Sequence, residues 1–281
     1  MNSVNADRFQ TFLEGNRNYT MNFKTITFKK PEKGMGILTL NRPERLNAVD
    51  MDMLDDLQEL FSYLQKNTET RVLIMTGAGR AFCAGADLKQ SGINSANANP
   101  ADLLINRQKK YTDRILEMRR IPQPIIAAIN GLATGGGMCL ALASDVSIAS
   151  ENAYFIPSFI NIGLSGGELG SSYFLSRAVG MPRAMEILMT GRTVDAEEAE
   201  RIGLVSRKVS SANLMTVAME TARQMIAKSP IGLRFTKEVM NQSIDANSLD
   251  TVIEMENRNQ VVCVFAPDFL KSVTAFQQKK K

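Results

Sequence analysis

Three consecutive glycines, Gly135–Gly137, stand between an apolar run that ends at Ile129 and an apolar helical run, Met138–Ala143. Glycine lets the main chain turn sharply and leaves no side chain between it and its surroundings. The first turn of a helix carries N–H groups without intrahelical acceptors and a partial positive charge. A glycine-lined strand-to-helix turn therefore either packs two elements closely or holds an anion, or a carbonyl oxygen becoming one. Strand, turn and helix in this order call for a chain that alternates strands with helices, an α/β fold.

A second stretch favours the binding role. Residues Val72–Lys89 read V-L-I-M-T-G-A-G-R-A-F-C-A-G-A-D-L-K. The pattern gives a buried strand, Val72–Thr76, running into a loop that ends in Gly85-Ala86-Asp87. The G-A-G at Gly77–Gly79 is not a dinucleotide fingerprint, because the third glycine of G-x-G-x-x-G falls at Phe82 and no helix follows at once. The small residues before Asp87 leave a second backbone N–H, that of Ala86, accessible. Two such donors aimed at one oxygen make an oxyanion hole.

Composition removes whole classes of chemistry. The chain has no histidine, which excludes Ser-His-Asp and Cys-His catalysis and His-ligated metals. Its three cysteines, Cys83, Cys139 and Cys263, show neither zinc-type nor disulfide-framework spacing, so no metal site is expected and a cytoplasmic setting is. Acid–base work is left to Asp, Glu, Tyr, Cys, Lys or water. The net charge of +4 is scattered except for Lys279–Lys281, which suits a polyanionic small ligand; no nucleic-acid motif is present. No apolar run reaches the length of a membrane span, and the first ten residues lack a signal core.

Along the chain, residues 1–22 read as a loose extension with a short helix around Asp7–Leu13, and Met21 is an alternative start. Thr25–Phe28 and Gly36–Leu40 read as strands. Asp50 caps a helix over Met51–Lys66. Gln90–Pro100 is polar and rich in small residues, a candidate wall of a pocket or a plain surface loop. A helix over Ala101–Arg120, a strand over Ile125–Ile129, the glycine turn and a strand over Val146–Ala149 follow. Tyr154–Gly163 is irregular, and a second glycine-rich loop, Gly163–Gly170, precedes a helix over Ser171–Val179. From Pro182 the pattern is mostly helical.

On L-T-L-N-R-P-E-R-L-N-A (Leu38–Ala48), A-F-C-A-G-A-D-L-K (Ala81–Lys89) and I-N-G-L-A-T-G-G-G (Ile129–Gly137), the sequence resembles the crotonase superfamily of enoyl-CoA hydratases and isomerases. Ser176–Arg192, Ala196–Val205 and Ala275–Lys279 extend the likeness to nearly the whole chain. It implies an α/β spiral of strand-strand-helix turns: an extension over 1–22, a core over 23–205 and a helical region over 206–281 that builds homotrimers, often paired into hexamers. It also implies an acyl-CoA substrate, with coenzyme A as part of the substrate and no separate cofactor. The thioester carbonyl would sit between the N–H groups of Ala86 and Gly136. By the same resemblance, Arg45, Ala48, Ala84, Asp87, Leu88 and Lys89 line the CoA side, and Phe276 and Lys279 reach the CoA of a neighbouring subunit.

The sequence departs from the family's pattern at the acids. Hydratases of the family carry glutamates two residues after the glycine triplet and four before Gly163; here these positions are Cys139 and Phe159. Glu168, in the second glycine-rich loop, is the remaining candidate acid/base, where some relatives, dienoyl-CoA isomerases and a dehalogenase among them, carry an aspartate. Cys139 reads as packing rather than as a nucleophile, since nothing is present to activate it. Phe159 makes its end of the pocket apolar. Three functions follow: a hydratase- or isomerase-like enzyme, a hydrolytic or dehalogenating enzyme using Glu168, or an acyl-CoA-binding protein without catalysis.

Overall fold

Five strands run parallel through the centre of the larger sheet: β3 (Met35–Leu40), β4 (Val72–Gly77), β6 (Ile125–Ile129), β8 (Val146–Ser150) and β11 (Arg207–Val209). Two antiparallel strands, β1 (Tyr19–Asn22) and β2 (Ile26–Glu32), complete its edge. The computed structural model describes residues 19–89 and 99–278. Strand residues alternate between two apolar surfaces. Leu73, Met75, Ile125, Ala127 and Ile129 face one core, with Leu54, Leu57 and Phe61 of helix α1 (Met51–Lys66). Val72, Ile74, Ile126, Ala128 and Ile148 face a second, with Leu214, Ala218 and Ala222 of a helix over Leu214–Ile226. Burial on both faces explains why these strands read as unbroken apolar runs.

A second, four-stranded sheet lies in the order β10-β9-β7-β5. Its strands are short: β5 (Ala81–Cys83), β7 (Leu132–Thr134), β9 (Tyr154–Ile156) and β10 (Val194–Asp195). Each strand of the large sheet from β4 to β8 is followed by one of the small sheet and then by helix. β5 leads to α2 (Lys109–Arg120), β7 to α3 (Gly136–Ala143), and β9 to α4 (Ser171–Val179) and α5 (Met181–Thr190). This is the strand-strand-helix spiral. The turn from β6 to β7 is tight. A Cβ on Gly131 would stand 2.2 Å from the Arg80 carbonyl oxygen, and the Asn130 side chain donates to the carbonyls of Gly79 and Ala81.

Several boundaries differ from the sequence reading. Tyr19–Asn22, read as the end of a loose extension, pairs with β2, and Met21 is buried. The helix expected over Ala101–Arg120 is broken into a helical turn (Pro100–Leu103), a π-helical turn (Leu104–Gln108) and α2. The irregular segment after Tyr154 contains β9. After α6 (Ala196–Arg201), sheet and packed helix continue past 205, through β11 and α7 (Leu214–Ile226). α8 (Pro230–Ser243) is pinned to the body by buried Lys237, whose ammonium donates to the carbonyls of Met118 and Gln123 and pairs with Asp145 at 2.8 Å. α9 (Leu249–Val264) packs on α8 and has no buried residue; α10 (Pro267–Gln278) follows. The helix expected at Asp7–Leu13 and most of the loop over 90–100 lie outside the described residues.

Candidate active site

The site grows from the ends of neighbouring parallel strands. β5 pairs with β7, with Cys83 opposite Ala133, and Ala86 and Gly136 each lie three residues beyond that pair. Both loops therefore leave the small sheet at the same end. Gly85, at φ +80°, has room for nothing else: a Cβ there would stand 2.7 Å from the Thr134 carbonyl oxygen and 3.2 Å from the Gly136 nitrogen. A Cβ on Gly137 would meet the Cys83 carbonyl oxygen at 2.1 Å. The glycines thus bring the two loops into main-chain contact, and Gly136 opens α3.

Ala86 is held on one side by a strap. Val49 donates to the Gly85 carbonyl at 2.7 Å and accepts from Asp87 N–H at 2.9 Å, so Ala86 forms an isolated parallel bridge with Val49. Successive peptide groups in an extended chain point in opposite directions, so the Ala86 N–H faces away from Val49. Among the described residues, neither Ala86 N–H nor Gly136 N–H is engaged in a hydrogen bond. Both N–H groups therefore lie without a partner near one glycine-lined junction.

The strap is held by buried charge. One guanidinium nitrogen of Arg42 lies 3.0 Å from both Asp50 and Asp87, and the other donates to the Ala48 carbonyl. All three charged residues are buried. Asp50 also caps α1 through Met53 N–H. Leu46 and Asn47 take left-handed backbone angles, and Asn47 compensates by donating to the carbonyls of Ala78 and Ala81 and accepting from Arg42 N–H. Leu169 is the other non-glycine residue with positive φ among the described residues. Strained conformations concentrate where function demands them, and all three border this site.

Glu168 sits half-buried in the loop before α4. Its N–H donates to Ser171 Oγ at 2.9 Å, and its carbonyl accepts from Ser171 N–H at 2.8 Å and from the Cys139 thiol at 3.4 Å. Gln108 Nε2 donates to its carboxylate. Next to Glu168, Leu169 reaches within 3.5 Å of where a Cβ on Gly136 would lie, and the Tyr111 ring reaches 4.0 Å. The Tyr111 hydroxyl donates to the Val49 carbonyl, which stiffens the strap behind Ala86. Burial raises the Tyr111 phenol well above its ordinary range, so it stays a donor. Burial pushes the Cys83 thiol up to about 12, and burial together with the Glu168 charge pushes Cys139 up as well. Neither thiol is poised as a thiolate nucleophile.

The expected site residues divide by their surroundings. Ala86, Gly136, Cys139, Phe159 and Glu168 gather around the junction; the Phe159 ring would lie 3.6 Å from a Cβ on Gly135. The 45–49 segment runs beside 84–87, with Ala84 N–H donating to the Leu46 carbonyl, so Arg45, Ala48, Ala84, Leu88 and Lys89 share one strap. Arg45, Leu88 and Lys89 are exposed there. Asp87 points inward to Arg42, so its contribution is to hold the loop. Phe276 lies in α10, away from these loops in sequence, and Lys279 lies outside the described residues. Sequence reasoning missed Arg42, Gln108 and Tyr111. Their partners are 45, 60 and 62 residues away, a distance that no local pattern reports.

With this geometry in view, comparisons with known proteins agree among themselves. A family model described as enoyl-CoA hydratase/isomerase matches residues 30–281. A probable enoyl-CoA hydratase of Mycobacterium bovis is 40% identical over 265 residues, covering 93% of either chain. The 1,2-epoxyphenylacetyl-CoA isomerase of Escherichia coli is 34% identical over 249 residues, 89% of this chain and 94% of its own length. A crystal structure of a probable enoyl-CoA hydratase/isomerase from Mycobacterium abscessus has a TM-score of 0.84 at 38% identity, covering 92% of this chain and 97% of that one.

Proposed function

The chain belongs to the enoyl-CoA hydratase/isomerase family, and from that premise we propose that it shifts a double bond in an acyl-CoA, using one carboxylate and two backbone donors. The thioester carbonyl lies between Ala86 N–H and Gly136 N–H. Glu168 takes a proton from the acyl α-carbon, and the electron pair moves toward the thioester oxygen as an enolate. The same carboxylate returns the proton further along the chain, and the oxygen gives its charge back. Donors fixed before the reaction stabilise the enolate without reorganising. One group that takes a proton and gives it back suffices for this chemistry.

The observation that carries this reading is the pair of unengaged N–H groups beside a single half-buried acid. Isomerisation is favoured over hydration because Asp87 is committed to Arg42, while Cys139 and Phe159 supply no carboxylate. The relatives include an acyl-CoA isomerase at 34% identity beside probable hydratases at 40%, so isomerisation lies within the range of the family. The CoA nucleotide is assigned to the exposed side of the strap, at Arg45 and Lys89, neither of which forms an ion pair among the described residues. The exposed apolar residues of α9 and α10 support a homo-oligomer, a trimer or a pair of trimers. No described helix is long and apolar enough to cross a membrane, and two buried free thiols support a reducing compartment, the cytoplasm.

A β,γ-unsaturated acyl-CoA tests the assignment, since its conjugated α,β isomer absorbs more strongly in the ultraviolet while its mass is unchanged. Wild-type protein is expected to convert it. Glu168→Gln is expected to abolish conversion and to bind butyryl-CoA, which cannot react, as tightly as wild type. Full turnover by Glu168→Gln would give that residue a structural role only, and a gain of one water in mass would restore hydration.

A further inference from the structure

Building on Glu168 as the acid/base, we propose that Gln108 is the positioning residue for its carboxylate, brought to the site by the π-helical turn Leu104–Gln108. The Glu168 main chain is already fixed by Ser171 and Cys139. What remains free is rotation about the side-chain bonds. The Gln108 amide removes that freedom by donating from Nε2 to Oε1. Among the described residues no hydrogen bond is made to Oε2, so one oxygen is anchored and the other is left for the substrate.

The chemical character of the anchor matters. An amide is neutral. It aims a carboxylate without cancelling its charge, whereas a lysine or arginine would form a charge-assisted pair and hold the ionised form far more firmly. No lysine or arginine forms an ion pair with Glu168 among the described residues. A base that must accept and release a proton within one turnover needs this kind of partner.

The helix geometry explains how the amide arrives there. A π turn holds one more residue than an α turn and recurs at functional sites. It rotates the flanking residues by ~100° relative to a continuous α-helix. Gln108 closes the π turn and lies three residues before Tyr111, and residues three apart share a helix face. Tyr111 faces the Gly136 junction, so Gln108 is set on that same side. The interruption of the helix thereby aligns one residue with the acid and another with the oxyanion strap.

The test compares Gln108→Met, which keeps length and removes the donor, with Glu168→Gln and with the double variant. The β,γ-unsaturated acyl-CoA reports turnover, butyryl-CoA reports affinity, and thermal unfolding reports folding. Gln108→Met is expected to lower kcat by about 10- to 100-fold, with KM and butyryl-CoA affinity within about twofold of wild type and the unfolding midpoint retained. The double variant is expected to be as inactive as Glu168→Gln and to bind butyryl-CoA as tightly as wild type. Wild-type kcat in Gln108→Met beside an inactive Glu168→Gln overturns this proposal alone, as does a Gln108→Met defect carried in KM and butyryl-CoA affinity instead of kcat. Full turnover by Glu168→Gln overturns the acid/base reading and this proposal with it.

Discussion

At the scale of the residue, burial separates thiols that pack from one that reacts. Cys139 is buried, donates to the Glu168 carbonyl and is pushed up in pKa together with Cys83. Cys263, on α9, is only partly buried. Iodoacetamide at about pH 8 is therefore expected to add once to the folded protein, at Cys263, as read by intact mass; early labelling of Cys139 would make it a nucleophile. The close approach of the 85–86 loop to the 135–137 turn was legible in the sequence because such contacts need small residues, and small residues are visible as glycine and alanine. Gln108 and Tyr111 were not legible. Each sits in a helical pattern that predicts only which face is apolar, and the face they occupy is set by a π turn that the periodicity of Ala101–Arg120 does not announce.

At the scale of the element, the strap from Arg42 to Val49 behaves as one part. Arg42 pairs with Asp50 and Asp87 at once and ties Ala48 through its carbonyl. Replacing it with methionine keeps the volume and leaves two buried carboxylates facing each other without a cation. Removing one partner from a buried ion pair costs about 3–5 kcal/mol, and that loss is expected for Arg42→Met in urea unfolding at neutral pH. Asp87→Asn should cost less, because Arg42 keeps Asp50; the reverse order would mean that the cluster does not hold the strap. Strands β4 and β6 of the large sheet could be read from sequence because burial on both faces makes them apolar throughout, whereas the edge strands β1 and β11 could not. The short strands β5 and β9 could not, since three residues in a ladder leave too little pattern to register.

At the scale of the whole molecule, the frame ends in apolar surface. Phe265, at the end of α9, is 83% exposed, and Leu270 of α10 is 72% exposed. Water disfavours such surface, and contiguous patches of it mark association sites. Phe265→Asp combined with Leu270→Asp is expected to convert an oligomer into a monomer in sedimentation, with the α/β core still folded by circular dichroism; a wild-type monomer would assign these helices another role. The helices after Pro182 were legible from the pattern, whereas strands β10 and β11 among them and the packing of α7 on the large sheet were not, because a helix does not record which sheet face it covers. The clamp proposed for the thioester is made of peptide N–H groups, and that has a consequence for inheritance. No exchange of side chain deletes a main-chain donor unless proline arrives, so point mutations reach the clamp chiefly by crowding its glycines. Side chains carry no such protection. On the proposed assignment, a lineage built on this scaffold can trade one reaction for another at positions 139, 159 and 168 while the main-chain donors pass on from ancestor to descendant.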